Sequence, residues 1–376
     1  MSRSDPIQPY DPAARRNTPL AEKLKSRIRR EGPLRVDQYI EACLFDSTHG
    51  YYTGKTVLGA RGDFITAPGI SQIFGELIGV WCLATWQQLG EPSAFNLVEF
   101  GPGQGTLMLD ALRAMRLRPK CLEAARVILL ETSTPLREAQ QQLLGGLSVR
   151  VSWPGKLINA QDANLPAIVI GNEFLDTQPI EQFVRWDGGW AWRMVDLNAS
   201  GNLCFATRAG CPGDITHALD KRFPDARKND ICEVQSLDHD LITALSQVPS
   251  EVCALFIDYG HPASAPGDTL QAIRAHAFEH PLTAPGEADL TAHVDFAQIV
   301  ELLECAGLAV DGPLTQSEFL GRLGIIERAS SLMGANPAKA AEIEAGVARL
   351  IAPGGMGSRF KVIGVRSPRL QPLPGF

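Results

Sequence analysis

The stretch Asn96 to Leu112, NLVEFGPGQGTLMLDAL, passes from an apolar run to a helix-forming run across glycines at 101, 103 and 105. Such an order predicts a strand, a tight turn and a helix, which is the first half of a βαβ unit. The alternation then repeats. Strand Asn96–Phe100 and helix Thr106–Met115 are followed by strand Arg126–Glu131, helix Thr134–Leu144 and strands Ser148–Val151 and Ala167–Gly171. Strand Val252–Gly260, helix Val294–Ala306 and strand Leu308–Asp311 resume it further on. Strands interleaved with helices predict an α/β chain with a doubly wound, mostly parallel sheet covered on both faces.

The remaining segments decorate that core. TPLAEKLKSRIRREGPL sets Leu20, Leu24 and Ile28 on one helical face, between Pro19 and the stop at Gly32-Pro33. A second helix ends near Asp46, a long loop spans Gly59 to Gly69, and a buried helix covers about Ser71 to Leu89. EQFVRW and WAWRMVDL, separated by Asp187-Gly188-Gly189, predict a β-hairpin insertion. A helical insertion from Leu314 to Leu350 precedes SRFKVIGVRS, read as a closing antiparallel strand. The expected division is a flexible lead-in at 1–17, an N-terminal helical cover at 18–92, a core at 93–366 with insertions at about 180–250 and 314–350, and a loose Pro-rich tail at 367–376.

A formal net charge of -7 offers no basic footprint for nucleic acid. No apolar run approaches the ~20 residues of a membrane helix, and the basic start lacks the apolar centre of a secretory signal. The chain is expected to be soluble and cytoplasmic. Its 8 cysteines are scattered without metal-binding spacing, which predicts reduced thiols and no metal site.

Glycines at alternate positions after a strand let backbone N–H groups approach a ligand where a Cβ would intrude. They also suit a plain strand-to-helix turn. Glu99, two residues before the first glycine, would oppose a phosphate and favour a cationic amino-acid moiety. Glu131 falls at the carboxyl edge of the next strand, where a carboxylate can accept two ribose hydroxyls. A nicotinamide dehydrogenase shares such features, but its third glycine sits elsewhere.

These residues resemble the class I S-adenosylmethionine-dependent methyltransferases, which carry an acid, alternate glycines and a second acid. More narrowly, five ordered blocks resemble the MidA family, relatives of a mitochondrial complex I assembly methyltransferase: GYYTGKTVLGARGDFITAPGISQIFGEL, LVEFGPGQGTLMLDAL, GNEFLDTQPIEQF, FIDYGH and PGEADLTAHVDF. The resemblance covers about Gly32 to Arg366. It implies a Rossmann-like sheet, S-adenosyl-L-methionine as cofactor, and methylation of an arginine in the quinone-site subunit of NADH dehydrogenase, in the mitochondrial matrix if the source is eukaryotic. It further implies that Gly101, Gly103 and Gly105 lie beneath the cofactor, that Glu131 holds its ribose, and that Gly62 and Asp63 belong to a cover over the pocket. Relatives commonly carry an acid where this chain has Gly69, so no side-chain role passes to that position.

Past the strand Ala167–Gly171 the chain crowds Asn172, Glu173, Asp176 and Glu181 together. Carboxylates grip the planar fork of a guanidinium, so Glu173 and Asp176 are the expected acceptor ligands, with Asn172 bridging to the cofactor. Helix capping is the plainer reading of the same acids, and Glu181 is expected at the surface. Asp258 and Tyr259 end the next strand at the same sheet edge and complete the catalytic candidates. Asp289 and Thr291 line the pocket or cap a helix, and Arg274, His276 and His280 resemble a family element near the site. A methyltransferase with another acceptor, or a non-catalytic assembly protein on the same fold, remains the alternative.

Overall fold

Successive side chains of a strand point to opposite faces of its sheet, and in the central sheet of this protein both faces are apolar. Leu97, Leu129, Ile168 and Leu255 enter one core, while Val98, Ile128, Val169 and Ala254 enter the other. The unbroken apolar runs in the sequence follow from that double burial. The computed structural model describes residues 11–54, 66–154, 164–237, 239–246 and 250–376.

Numbered along the chain, the central strands are β1 (Phe95–Phe100), β2 (Ala125–Leu130), β3 (Arg150–Ser152), β4 (Ala167–Asn172), β5 (Val252–His261), β6 (Ala309–Thr315) and β7 (Phe360–Arg366). Their order across the sheet is β6-β7-β5-β4-β1-β2-β3. The strands from β3 to β5 pair in parallel, and β7 runs antiparallel to both β5 and β6. The chain winds outward from β1 in one direction and from β4 in the other. A crevice therefore opens at the carboxyl ends of β1 and β4, where doubly wound sheets bind ligands.

The helices that matter to the site are α1 (Pro19–Glu31), α2 (Val36–Phe45), α3 (Gln72–Gln88), α4 (Thr106–Met115), α5 (Thr134–Leu144) and α6 (Phe296–Cys305). The side chain of Thr18 caps α1 by accepting from the Ala21 N–H, and Gly32 ends it at φ 89°. The expected N-terminal cover divides in two. Helix α3 packs on α4 as part of the central sandwich, so closely that a Cβ on Gly79 would lie 2.5 Å from the Ala111 carbonyl oxygen. Helices α1 and α2 instead share a core with a second, antiparallel sheet. That sheet contains the predicted hairpin, Ile180–Trp186 and Gly189–Leu197, with Leu34–Arg35, Leu203–Ala209 and Ile231–Gln235. A third sheet joins Gln271–Arg274 to Ala277–Glu279 and Asp289–Thr291.

The last residues are packed rather than loose. Leu373 is buried, its N–H donates to Asp311, and the Pro374 carbonyl accepts a 3.1 Å bond from Trp81 Nε1. The predicted helical insertion forms as Gln316–Arg322, Ile325–Ala335 and Ala340–Ile351, adding to the core on the α3 side.

Candidate functional site

A cavity of about 450 Å³ opens at the crevice. The turn after β1 lines it through Gly101 and Gly103, whereas Gly105 faces Gln140 instead; the three have φ of 58°, 53° and 81°, values that side chains with a Cβ rarely adopt. Gly105 is also the N-cap of α4, so the first N–H groups of that helix face the cavity beside Thr106 and Leu107. One residue that sequence reasoning missed fixes the turn. Gln140 of α5, fully buried, donates a 2.6 Å bond to the Gly103 carbonyl and accepts 2.8 Å from Trp153 Nε1. Its signal was present, because it is the lone polar residue in the stripe Leu136, Gln140, Leu144 on the buried face of α5.

Glu99 lines the cavity with only 3% of its surface exposed, and its Oε2 has no hydrogen-bond partner. Burial first, then the Glu131 carboxylate, push its pKa up to about 8. Glu131 also lines the cavity; one of its oxygens accepts 2.8 Å from the Ser133 N–H, and burial raises its pKa. These features fit S-adenosyl-L-methionine. An orphaned buried carboxylate suits a cationic moiety, a glycine floor admits close approach, and a strand-end acid suits a diol. Gly69 lines the wall as bare backbone, while Gly62 and Asp63 lie outside the described residues.

The other side of the cavity is acidic. Asn172 and Glu173 line it at the end of β4, and Glu173 holds the left-handed φ of 51°, a strained conformation for a residue with a Cβ. Its Oε1 accepts 3.0 Å from the Ala67 N–H and 3.3 Å from Asn172 Nδ2, while Asn172 Oδ1 has no partner. Burial pushes Glu173 up to about 7, against the bond from Ala67.

Asp176 follows in a single 3-10 turn, Leu175–Thr177. It is buried one residue before the lining residue Thr177, and its Oδ1 closes no hydrogen bond of ordinary geometry. The Tyr259 hydroxyl is buried nearby and also closes no bond of ordinary geometry. Burial raises the pKa of Asp176, and burial with Asp176 and Glu173 raises that of Asp258.

Asp176, Asp258 and Tyr259, predicted among the catalytic groups, do not themselves line the cavity; of the predicted catalytic acids Glu173 does. Asp258 Oδ2 accepts from the Leu175 and Asp176 N–H groups at 2.8 and 3.1 Å, and Oδ1 from the Tyr259 N–H at 2.9 Å. It builds the turn that carries Asp176 and has no surface left to meet a substrate. Tyr259 packs edge-on against His293 and Phe360.

Arg274, His276 and His280 are likewise away from the cavity. Arg274 pairs with Glu279 at 2.7 Å, His276 sits exposed in a hairpin turn, and His280 packs on Phe205. Glu181 lies 3.4 Å from Arg35 in a partly exposed ion pair. Sequence reasoning also missed Phe45 and Tyr52, aromatic residues that wall the cavity. Among the described residues there is no group of metal-binding side chains, and no helix is long and apolar enough to cross a membrane.

Residues 77–314 match the family model described as S-adenosyl-L-methionine-dependent methyltransferase. The chain is 32% identical over 374 residues to "Protein arginine methyltransferase NDUFAF7, mitochondrial" of Danio rerio, covering 93% of this chain and 87% of the relative. The Homo sapiens protein of the same name is 32% identical, with coverages of 93% and 84%. A Burkholderia thailandensis protein solved with bound S-adenosyl-homocysteine superposes with a TM-score of 0.85 at 26% identity, covering 96% of this chain and 97% of that one.

Proposed function

This chain belongs to the family of S-adenosyl-L-methionine-dependent methyltransferases, and from that premise we propose that its acceptor is an arginine side chain of a protein. The observation that carries the reading is the acidic side of the cavity. Asp176 and Asp258 are buried beside the half-buried Glu173, and no arginine or lysine forms an ion pair with these three among the described residues. Buried carboxylates without a cation stay protonated or take a cation from a ligand. A guanidinium meets that need with a planar array of donors that remains charged at any physiological pH. The relatives named protein arginine methyltransferase support the same acceptor.

When bound, S-adenosylmethionine supplies a methyl group activated on a sulfonium. Gly101 and Gly103 would lie against the cofactor with Gly105 completing the turn, Glu99 would face its cationic moiety, Glu131 would accept from its ribose, and Asn172 would bridge to the acceptor. Glu173 and Asp176 would hold the guanidinium with one nitrogen facing the cavity, where its lone pair becomes available as the N–H proton leaves. Glu173, the member of the pair on the cavity wall, takes the proton released from that nitrogen. The bond from Ala67 to Glu173 links the chain before α3 to this arrangement, which helps exclude water.

The proposed acceptor is the quinone-site subunit of NADH dehydrogenase, and the proposed role is to aid assembly of that complex. The setting is the cytoplasm, or the mitochondrial matrix in a eukaryotic cell; the named relatives are mitochondrial. Mass spectrometry of that subunit from cells with and without the gene tests the assignment. A methylated arginine is expected only when the gene is present. An unmodified subunit in both refutes this acceptor.

A further inference from the structure

The acceptor subsite described so far has one arm, Glu173 and Asp176 on the segment after β4. Another carboxylate approaches that segment from the third sheet, next to which the Ala292 N–H donates to the Asp176 carbonyl at 3.5 Å. Asp289, 6% exposed, opens the strand Asp289–Thr291, and its Oδ1 accepts a 3.0 Å hydrogen bond from the Tyr52 hydroxyl. Tyr52 borders both spaces: its side chain lines the cavity, and its hydroxyl lies within electrostatic reach of Asp176 as well as Asp289.

Packing fixes the ring. It stacks on Phe45 at 5.8 Å between centroids with planes 28° apart, and meets Tyr51 edge-on at 5.1 Å. Burial, then the charges of Asp289 and Asp176, hold the Tyr52 hydroxyl well above the usual phenol range, so it serves as a donor and not as a base. A neutral donor aimed at one carboxylate beside another stands where an N–H of a bound guanidinium would stand.

Resting on the arginine reading, we propose that Asp289 is the second carboxylate arm of the acceptor subsite, and that Tyr52 is a positioning residue capping it until a guanidinium N–H displaces the hydroxyl. Asp176 and Asp289 would then take two edges of one planar cation. A lysine ammonium has three donors around a single point and no second edge to offer. The paired arms therefore select arginine over lysine, and the N-terminal segment that carries Tyr52 takes part in acceptor choice.

Calorimetry on the full chain loaded with S-adenosyl-homocysteine tests this, with N-acetyl-arginine methylamide and N-acetyl-lysine methylamide as probes. Wild type is expected to bind the arginine probe at least about tenfold tighter than the lysine probe, a difference of about 1.4 kcal/mol. Asp289→Asn should weaken the arginine probe by about tenfold or more and leave S-adenosyl-homocysteine affinity within about twofold. Tyr52→Phe keeps the ring packing and removes the competing hydroxyl, so it should tighten the arginine probe by roughly threefold. A purely structural tyrosine predicts the opposite sign. If wild type binds the arginine probe but Asp289→Asn matches it, or Tyr52→Phe weakens it, the inference is overturned and the arginine reading stands. If wild type binds neither probe up to about 50 mM, the arginine reading falls and takes the inference with it. Should Asp289→Asn fail to fold, the sign of the Tyr52→Phe effect decides alone.

Discussion

Replacing Glu173 with glutamine separates charge from shape at the acceptor side of the cavity. The oxygen that accepts from the Ala67 N–H at 3.0 Å and from Asn172 at 3.3 Å has a counterpart in the glutamine carbonyl, so the local framework persists. What disappears is the negative charge and the proton acceptor. Truncating one partner of a buried, hydrogen-bonded charge pair costs about 2–5 kcal/mol, and each 1.36 kcal/mol is about tenfold in rate. The loss in kcat/KM is therefore expected between about 30-fold and several thousand-fold. The pH profile gives a second reading. Glu173 titrates at about 7 because of its burial: it is protonated below that value and ionised above it. The guanidinium stays charged throughout, so wild-type kcat/KM rises with pH through this region, and Glu173→Gln loses that limb. The assay is methyl transfer to the quinone-site subunit of NADH dehydrogenase purified from cells lacking the gene, with cofactor affinity measured in parallel. Retention of kcat/KM within about threefold, together with the acid limb, would refute the role assigned to Glu173.

Three further outcomes follow from the same geometry. Glu99, with a pKa of about 8, is mostly protonated at neutral pH in the free protein and should release its proton when a cation binds beside it. Calorimetry of S-adenosylmethionine binding should then give enthalpies that depend on the buffer's ionisation heat, and Glu99→Gln should remove the dependence; buffer-independent wild-type enthalpies would refute proton release from Glu99 on binding. Gln140→Leu fits the apolar stripe but takes the donor from the Gly103 carbonyl, so it should cost about 1–3 kcal/mol, read as weaker cofactor binding; unchanged affinity would show that the turn holds its shape alone. Removing residues 367–376 uncovers Trp81 and Phe319 and deletes the buried Leu373, which predicts a loss of about 3–5 kcal/mol in denaturant unfolding, and an unchanged midpoint would contradict the packed tail.

The central sheet was legible because its signals are local. Strand Phe95–Phe100 and helices Thr106–Met115 and Thr134–Leu144 lie within a residue of where periodicity and glycine put them. The partition of the N-terminal segment was not legible in the same way. Helix α3 is apolar nearly all round, which says that it is buried but not against what; only the close approach at Gly75 and Gly79 assigns it to α4 and the central sandwich. The tail misled for a related reason. A Pro-rich composition forbids helix and strand, but it does not forbid docking by carbonyls and a few apolar side chains, as Pro374 and Leu373 do.

The acids show where sequence reasoning ends. Glu173, Asp176, Asp258 and Asp289 look alike as letters at strand ends, yet the structure gives them different work because their oxygens face different partners. Three backbone N–H groups converge on Asp258, and a carboxylate so engaged shapes the turn that carries Asp176. Asp176 keeps a buried oxygen that closes no bond of ordinary geometry, although the Tyr259 hydroxyl is near, and a further donor there would stabilise it. Asp289 stands between these cases, engaged by a tyrosine hydroxyl that a stronger, charged donor can replace. The backbone donors on Asp258 thus separate the acid that builds the site from Asp176, and contacts of this kind join residues as far apart in the chain as Tyr52 and Asp289.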